Sequence, residues 1–316
     1  MNLHIISVLP KHHHIYVPIL SLWLNRLVLL GPIRFIFQTY FKVYALILKK
    51  VFQLKENLLY NLKSNKIKKV VFTKKFEWDE ILIKHLKASG IQVQFEDIEN
   101  IDYNEQLVVP LTINDLKIYS RNKDKFKRNM VPVPSDSAFE ICHNKGLFNE
   151  FMVNNGFGNL VPSHKLPDLG KFPYVLKKKM DEGGVETYMV SNQNDLNLLG
   201  SKIFDPSYQV EEFLPGRREY ATHVLFKDGK IVSAVNICYL FETGSYVKGK
   251  DKYICKYITT NPHLKQFSEV LNTMGYEGIC CFNYKEIKGV PKIFEINPRF
   301  GGSLTEYFIR FLRDIH

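Results

Sequence analysis

Apolar residues recur every three or four positions between 33 and 62 and every second position in several shorter runs beyond, so the chain reads as one long helix followed by mixed strands and helices. In the first stretch Ile33, Phe37, Tyr40, Tyr44, Ile47, Val51, Leu54, Leu58 and Leu62 form a single helical stripe, broken elsewhere by Lys42, Lys49, Lys50 and Lys55. Gly31-Pro32 separates it from an apolar and aromatic run at 15–30, and the proline suits a first helical turn. Next come a β-branched strand at 68–73, a helix over 77–89 ended by Gly90, and strands at 91–95 and 106–110. Ala138, Ile141, Phe148, Phe151 and Met152 keep a helical period; 173–177, 209–212 and 278–285 read as strands.

Charge changes the picture at one end. The 316 residues carry a net +11, and residues 1–75 hold thirteen Lys or Arg against one acid, Glu56, so the excess belongs to that segment and the remainder is near neutral. Arg26, Arg34 and Lys42 interrupt every apolar stretch before it reaches the ~20 residues of a spanning helix. No basic start followed by a small-residue cleavage site suggests a signal peptide. Two readings of residues 1–65 remain: the stripe packs on the rest of the protein or on a second subunit, or a basic amphipathic segment lies on an anionic membrane surface. Nucleic acid is disfavoured, because the aromatics follow a helical face and no RNA-binding motif occurs. The cysteines at 142, 238, 255, 280 and 281 are odd in number and lack metal-ligand spacing, which favours a reducing cytoplasm over disulfides or zinc. The expected location is cytoplasmic, at the inner membrane face if the second reading holds. The histidines at 12–14 read as an exposed polar run.

The richest string is FEINPRFGGS, residues 294–303. Glu295 and Asn297 are two apart, so on a strand both point to one face. A carboxylate and an amide so placed suit magnesium, with manganese an alternative, since these ions take a few protein oxygens and fill the rest with phosphate oxygens and water. Arg299 then offers a guanidinium fork for a phosphate or an acyl phosphate. Alone, Glu-x-Asn is more often an ordinary strand end. No Walker loop, dinucleotide glycine fingerprint, nucleophile-elbow serine or internal repeat accompanies it.

With its neighbours the string resembles the end of an ATP-grasp core, and the resemblance covers roughly residues 133–316 with the pieces in the family's order. Asn144-Lys145 sits where such enzymes carry a phosphate-binding lysine. Lys177 ends an apolar strand and is followed by Gly183-Gly184, like the strand lysine and the glycine loop that closes over phosphates. The run 209–216, QVEEFLPG, resembles the hinge that holds adenine, through Glu211, Glu212 and the backbone of Phe213 and Leu214, and Glu219 matches the carboxylate that binds ribose hydroxyls. Three departures stand out: Asn283 takes the place of a frequent acidic metal ligand, two arginines lie between Gly216 and Glu219, and Asn144 replaces a frequent aspartate.

The resemblance implies an α/β (α+β) architecture: a basic helical extension at 1–65, a reduced α/β unit at 66–132, and a core with a lid at 133–208 and a metal-binding part at 209–316. It implies ATP and Mg2+, held by Lys145, Lys177 and Arg299 on the phosphates and by Asn283, Glu295 and Asn297 on the metal, with Arg299 and Lys177 catalytic. The implied reaction joins a small carboxylate to an amine through an acyl phosphate, in peptide, cell-envelope or surface-glycan metabolism. Arg217, Arg218, His223 and the polar loop 242–252 are expected to line the acceptor site. A nucleotide-binding protein without turnover is the alternative, motivated by the neutral Asn283, and a carboxy-phosphate or carbamoyl-phosphate type reaction is a further enzymatic one.

Overall fold

The computed structural model describes residues 31–63, 67–102, 107–122, 131–164, 171–181 and 183–315; the apolar run 15–30 and the histidines at 12–14 lie outside them. The chain divides into two compact units, Met1–Tyr44 and Ala45–His316. Helix α1 (Gly31–Asn61) starts at the Gly-Pro break and runs as far as its apolar period forecasts. Of the readings given for the stripe, packing on the rest of the chain does not hold for its part within 45–62. Ile47, Val51, Leu54, Leu58 and Leu62 are exposed, and Phe52, Gln53, Glu56 and Tyr60 turn inward instead.

That correction has a physical cause. Phe52 meets Tyr307 edge-on at 5.4 Å, Lys49 pairs with Glu306 at 2.9 Å, and the Glu56 carboxylate takes Arg313 at 2.8 Å and Arg310 at 3.5 Å. Gln53 adds a contact of 2.8 Å to His85. Glu56 is 1% exposed, so the one acid of the basic segment is spent on a buried pairing that a hydrophobic pattern cannot reveal.

The next unit is a three-stranded parallel sheet in the order β2-β1-β3, from β1 (Lys69–Thr73), β2 (Gln92–Glu96) and β3 (Val108–Val109), with α2 (Phe76–Lys87) between the first two strands and α3 (Ile113–Arg121) after the third. Gly90, at φ +72°, makes the left-handed turn after α2 that its position forecasts. Strand β3 is shorter than the expected 106–110, part of which lies outside the described residues. Helix α3 opens on a reciprocal cap between Thr112 and Asp115.

The single helical pattern expected around 138–152 is two helices, α4 (Asp136–His143) and α5 (Lys145–Asn154). Asn144 separates them: its backbone is extended, and its side-chain oxygen accepts from the N–H groups of Gly146 and Leu147. The chain then builds an antiparallel sheet in the order β5-β4-β6, from β4 (Tyr174–Lys178), β5 (Thr187–Val190) and β6 (Tyr208–Glu212), with α6 (Gln193–Leu199) joining the last two. A five-stranded antiparallel sheet follows in the order β11-β10-β7-β8-β9: β7 (Arg218–Lys227), β8 (Lys230–Phe241), β9 (Tyr253–Thr259), β10 (Gly278–Ile287) and β11 (Val290–Asn297), with α7 (Leu264–Met274) before β10 and α8 (Ile309–Asp314) at the end.

Strand β10 shows how this sheet is held. Cys280, Phe282 and Tyr284 join the core formed with α7, α4 and α5, while Ile279 and Cys281 join the core shared with the parallel sheet and α8. Phe282 stacks on Phe267 at 4.2 Å. All five cysteines are buried free thiols, and the adjacent pair faces opposite sides of the strand, as the period requires.

Candidate active site

A cavity of about 330 Å3 lies between the two antiparallel sheets, and nearly every candidate residue lines it: Lys145, Lys177, Gly183, Gly184, Glu211, Glu212, Phe213, Leu214, Glu219, Asn283, Glu295, Asn297 and Arg299. Alternation does most of the placing. On β10 Cys281, Asn283 and Lys285 turn to the cavity, and on β7 Glu219, Ala221 and His223 do the same. On β11 the register shifts beside Asn283, which pairs with Glu295 while Tyr284 pairs with Ile293. Phe294 is the extra residue, and this bulge lets Phe294 and Glu295 both line the cavity.

Glu295 is the hub. Its Oε1 accepts from the amides of Asn283 at 2.8 Å and Asn297 at 3.0 Å, and its Oε2 lies 3.4 Å from Lys145 Nζ. Burial raises its pKa; the Lys145 charge, the two amide bonds and the Lys177 charge outweigh that and bring it down to about 2. It is a carboxylate at any physiological pH.

The donor set also fits a hard divalent cation. Glu295 and Asn297 bring a carboxylate and an amide oxygen to one strand edge, and an amide that donates through its nitrogen turns its oxygen away from its partner. Asn283 Oδ1 accepts from Lys248 at 3.0 Å, so it can ligate only if that ammonium swings to another anion. Among the described residues no group of three His, Cys, Asp or Glu side chains could hold a metal, so the site offers mixed carboxylate and amide oxygens rather than an all-acid cage.

The other expected residues sort by geometry. Lys177 Nζ bonds Glu211 Oε2 at 2.5 Å and lies 4.5 Å from the centre of the Phe294 ring. Glu211 also accepts from Gln209 at 2.9 Å, so its carboxylate is engaged inside the sheet and does not stand free as the expected acceptor for an adenine amine. Glu212 is exposed at the rim, bonded to the Ser163 N–H at 3.3 Å. Glu219 pairs with Lys248 at 3.3 Å. Arg217 and Arg218 do not line the cavity, contrary to expectation: Arg217 reaches the Phe241 carbonyl at 3.0 Å, and strand alternation sends Arg218 to the face opposite Glu219.

Of the polar loop 242–252, residues 246–249 reach the cavity, and they do so against the lid. A Cβ on Gly184 would sit 2.8 Å from the Lys248 carbonyl oxygen, and one on Gly249 would sit 2.1 Å from that of Gly183. Lys250 extends the contact by donating to the Thr187 carbonyl at 2.7 Å. Two glycine backbones are thus pressed together where no side chain fits.

Sequence reasoning missed three groups. Lys285 is buried, donates to the Leu214 carbonyl at 2.8 Å and lies 4.3 Å from the centre of the Tyr246 ring; burial, only partly offset by Glu219, lowers its pKa to about 8. The rule applied to Glu295 and Asn297 would have found it, two residues from Asn283. Lys248 had no signal beyond a polar loop. Ser303 Oγ lies 2.7 Å from His223 Nε2, and Gly301 lies so close to that ring that a Cβ would be 2.5 Å from it. His223 is fully buried; burial, then the charges of Lys248, Lys256 and Arg299, push its pKa down to about 3. It is neutral, and among the described residues its Nδ1 meets no hydrogen-bond partner.

No protein-family model matches this sequence, and no curated protein sequence does. Solved structures are similar at the level of shape. One is phosphoribosylamine–glycine ligase from Thermotoga maritima, at a TM-score of 0.55 and 14% identity over 75% of this chain and 70% of that one. Others are D-alanine–D-alanine ligase from Bacillus anthracis, at 0.50 and 14% over 75% and 88%, and L-amino acid ligase from Bacillus licheniformis, at 0.50 and 18% over 78% and 70%. These neighbours are ATP-grasp enzymes, and from the lysine-bearing lid sheet to the Glu-x-Asn strand the chain has the ATP-grasp fold.

Proposed function

We propose that the protein is an ATP- and Mg2+-dependent, ADP-forming ligase that joins a small carboxylate to an amine through an acyl phosphate. One observation carries the reading: Lys145, Lys177, Glu295, Asn297 and Arg299 converge on a single cavity that the Gly183-Gly184 loop closes. The names of the three similar structures, each a ligase of an amino acid or of glycine, agree with it.

On this reading adenine enters between Phe213, Leu214 and Tyr246, with the hinge backbone and Lys285 along its edge, and Glu219 takes the ribose hydroxyls. Lys145, Lys177 and Lys248 offset phosphate charge, leaving Arg299 at the far end to steady the transferring phosphoryl group. Glu295 and Asn297, with Asn283 if Lys248 turns to phosphate, would hold magnesium, which would neutralise charge on the phosphate oxygens. The substrate carboxylate attacks the γ-phosphorus, ADP leaves, and the amine then displaces phosphate from the acyl carbon, losing its proton to solvent or to the departing phosphate. Closure of the glycine loop keeps water from the acyl phosphate.

The substrate lies among amino acids or similar small carboxylates, with cell-envelope or surface-glycan metabolism the setting we favour and the cytoplasm the compartment. The alternative without turnover gains no support from Asn283, since Glu295 and Asn297 stand beside it with the cations in place. The test is a screen of amino acids and carboxylates, with amine acceptors, for ADP release coupled to an amide found by mass spectrometry. Release of AMP and pyrophosphate, or ATP binding with no release for any substrate, overturns it.

A further inference from the structure

Among the described residues, the outward face of α1 carries a run of exposed large hydrophobics that neither the cavity nor the core absorbs. Leu46, Ile47, Val51, Leu54, Leu58 and Leu62 are exposed there, from 49% for Val51 to 72% for Leu62. A contiguous strip of this kind on a soluble chain marks a surface that something else covers.

Charge argues against a second copy of the helix as the cover, because in a two-helix seam along this stripe Lys50 and Lys55 take the flanking positions and face the copy's lysines. Positions 47 and 58, 51 and 62, and upstream in the sequence 36 and 47, 40 and 51, 43 and 54, repeat at eleven residues. Eleven residues are about three turns, so these positions stay on one side of the helix. Positions 33, 40, 47 and 54 with 37, 44, 51 and 58 also keep a seven-residue register, which ends at Asn61.

Charge identifies the cover. Lys50 and Lys55 are exposed and stand at the two edges of the stripe, roughly 60° to one side of Ile47 and roughly 80° to the other. There each can lay its methylenes on the apolar layer and hold its ammonium among headgroups. Residues 1–75 contain eleven further Lys or Arg besides these two, and their single acid, Glu56, is turned inward to Arg313 and Arg310. The outward face therefore carries cations with no acid of its own segment beside them. The geometry points to this face of α1 as a docking surface for an anionic lipid bilayer, with the stripe in the headgroup–acyl boundary and Lys50 and Lys55 on lipid phosphates. This docking is independent of the ligase reading, and its readout does not use catalysis.

The test is sedimentation of the full chain with vesicles of phosphatidylcholine alone and of phosphatidylcholine with phosphatidylglycerol, at low and high salt, beside gel filtration. The wild type pellets with the anionic vesicles, less with neutral ones, and less as salt rises. Changing Lys50→Gln and Lys55→Gln together lowers partitioning on the order of tenfold. Leu54→Ser with Leu58→Ser abolishes it, and both double variants keep the wild-type melting temperature because all four side chains are exposed. A wild type that stays in the supernatant with anionic vesicles overturns the inference. So do double variants that bind as the wild type does. A dimer that Leu54→Ser with Leu58→Ser splits, with no vesicle binding, assigns the face to self-association instead.

Discussion

Helix α1 and the β10–β11 edge were read from the same kind of pattern, and the two patterns fix direction to different degrees. On the strands a two-residue period leaves two sides, and the side with Asn283, Glu295 and Asn297 is the one the cavity uses. On the helix a 3.6-residue period leaves a continuum of directions, and the best apolar stripe faces out while Phe52, Glu56 and Tyr60 face in. Periodicity names an element reliably; it names the buried face only where the alternatives are two.

The comparison can be broken, most forcefully at the strand edge. Glu295→Gln should lower ADP release by about 10²–10³-fold or more while the fold persists, because the amides of Asn283 and Asn297 keep an acceptor oxygen. Steady-state kinetics and a melting curve check both halves. A variant that turns over normally would remove Glu295 from the chemistry.

The two faces of α1 should differ next. Glu56→Ala leaves Arg313 and Arg310 without their buried partner and should cost about 3 kcal/mol or more by urea unfolding. Leu58→Ser, on the outer face, should stay within about 0.5 kcal/mol. Reversed magnitudes would mean that the helix has been turned the wrong way round.

A third contrast separates two cavity groups by pH, Lys285, which the sequence did not single out, and His223, which it did. Lys285, with its pKa near 8, should make ATP affinity fall as pH rises through about 8, and Lys285→Met should flatten that dependence in calorimetric titrations. His223 acts at the acid end. Its folded pKa of about 3 lies below the ordinary 6.5, so the unfolded chain takes the proton first, and stability is lost as pH falls from about 6.5 towards 3. His223→Gln should reduce that slope in thermal unfolding. The carboxylate of Glu295, folded pKa about 2 against 4.5, adds a loss that begins only below about 4.5 and should survive the His223 change.

Much of the site was legible because its residues come in ordered local strings: Lys145 after Asn144, Lys177 before Gly183-Gly184, Glu295 before Asn297 and Arg299. What escaped depended on contacts between strings. The bulge at Phe294 is set by pairing with β10. Glu211 is consumed by Lys177, two strands apart in sequence but hydrogen-bonded neighbours in the sheet. Arg217 and Arg218 read as site residues by position, yet the end of β8 and the pleat claim them. Asn144 breaks a helix that the apolar period alone would have continued.

The meeting of Gly183 with Gly249 and of Gly184 with Lys248 carries its own consequence. The glycine loop rests on the same segment that supplies Lys248 to Glu219 and Asn283. If the loop lifts to let a nucleotide leave, that support is lost and Lys248 loses its brace, so product departure and resetting of the charge around Asn283 become a single event. A methyl group at residue 249 would collide with the Gly183 carbonyl and hold the two segments apart.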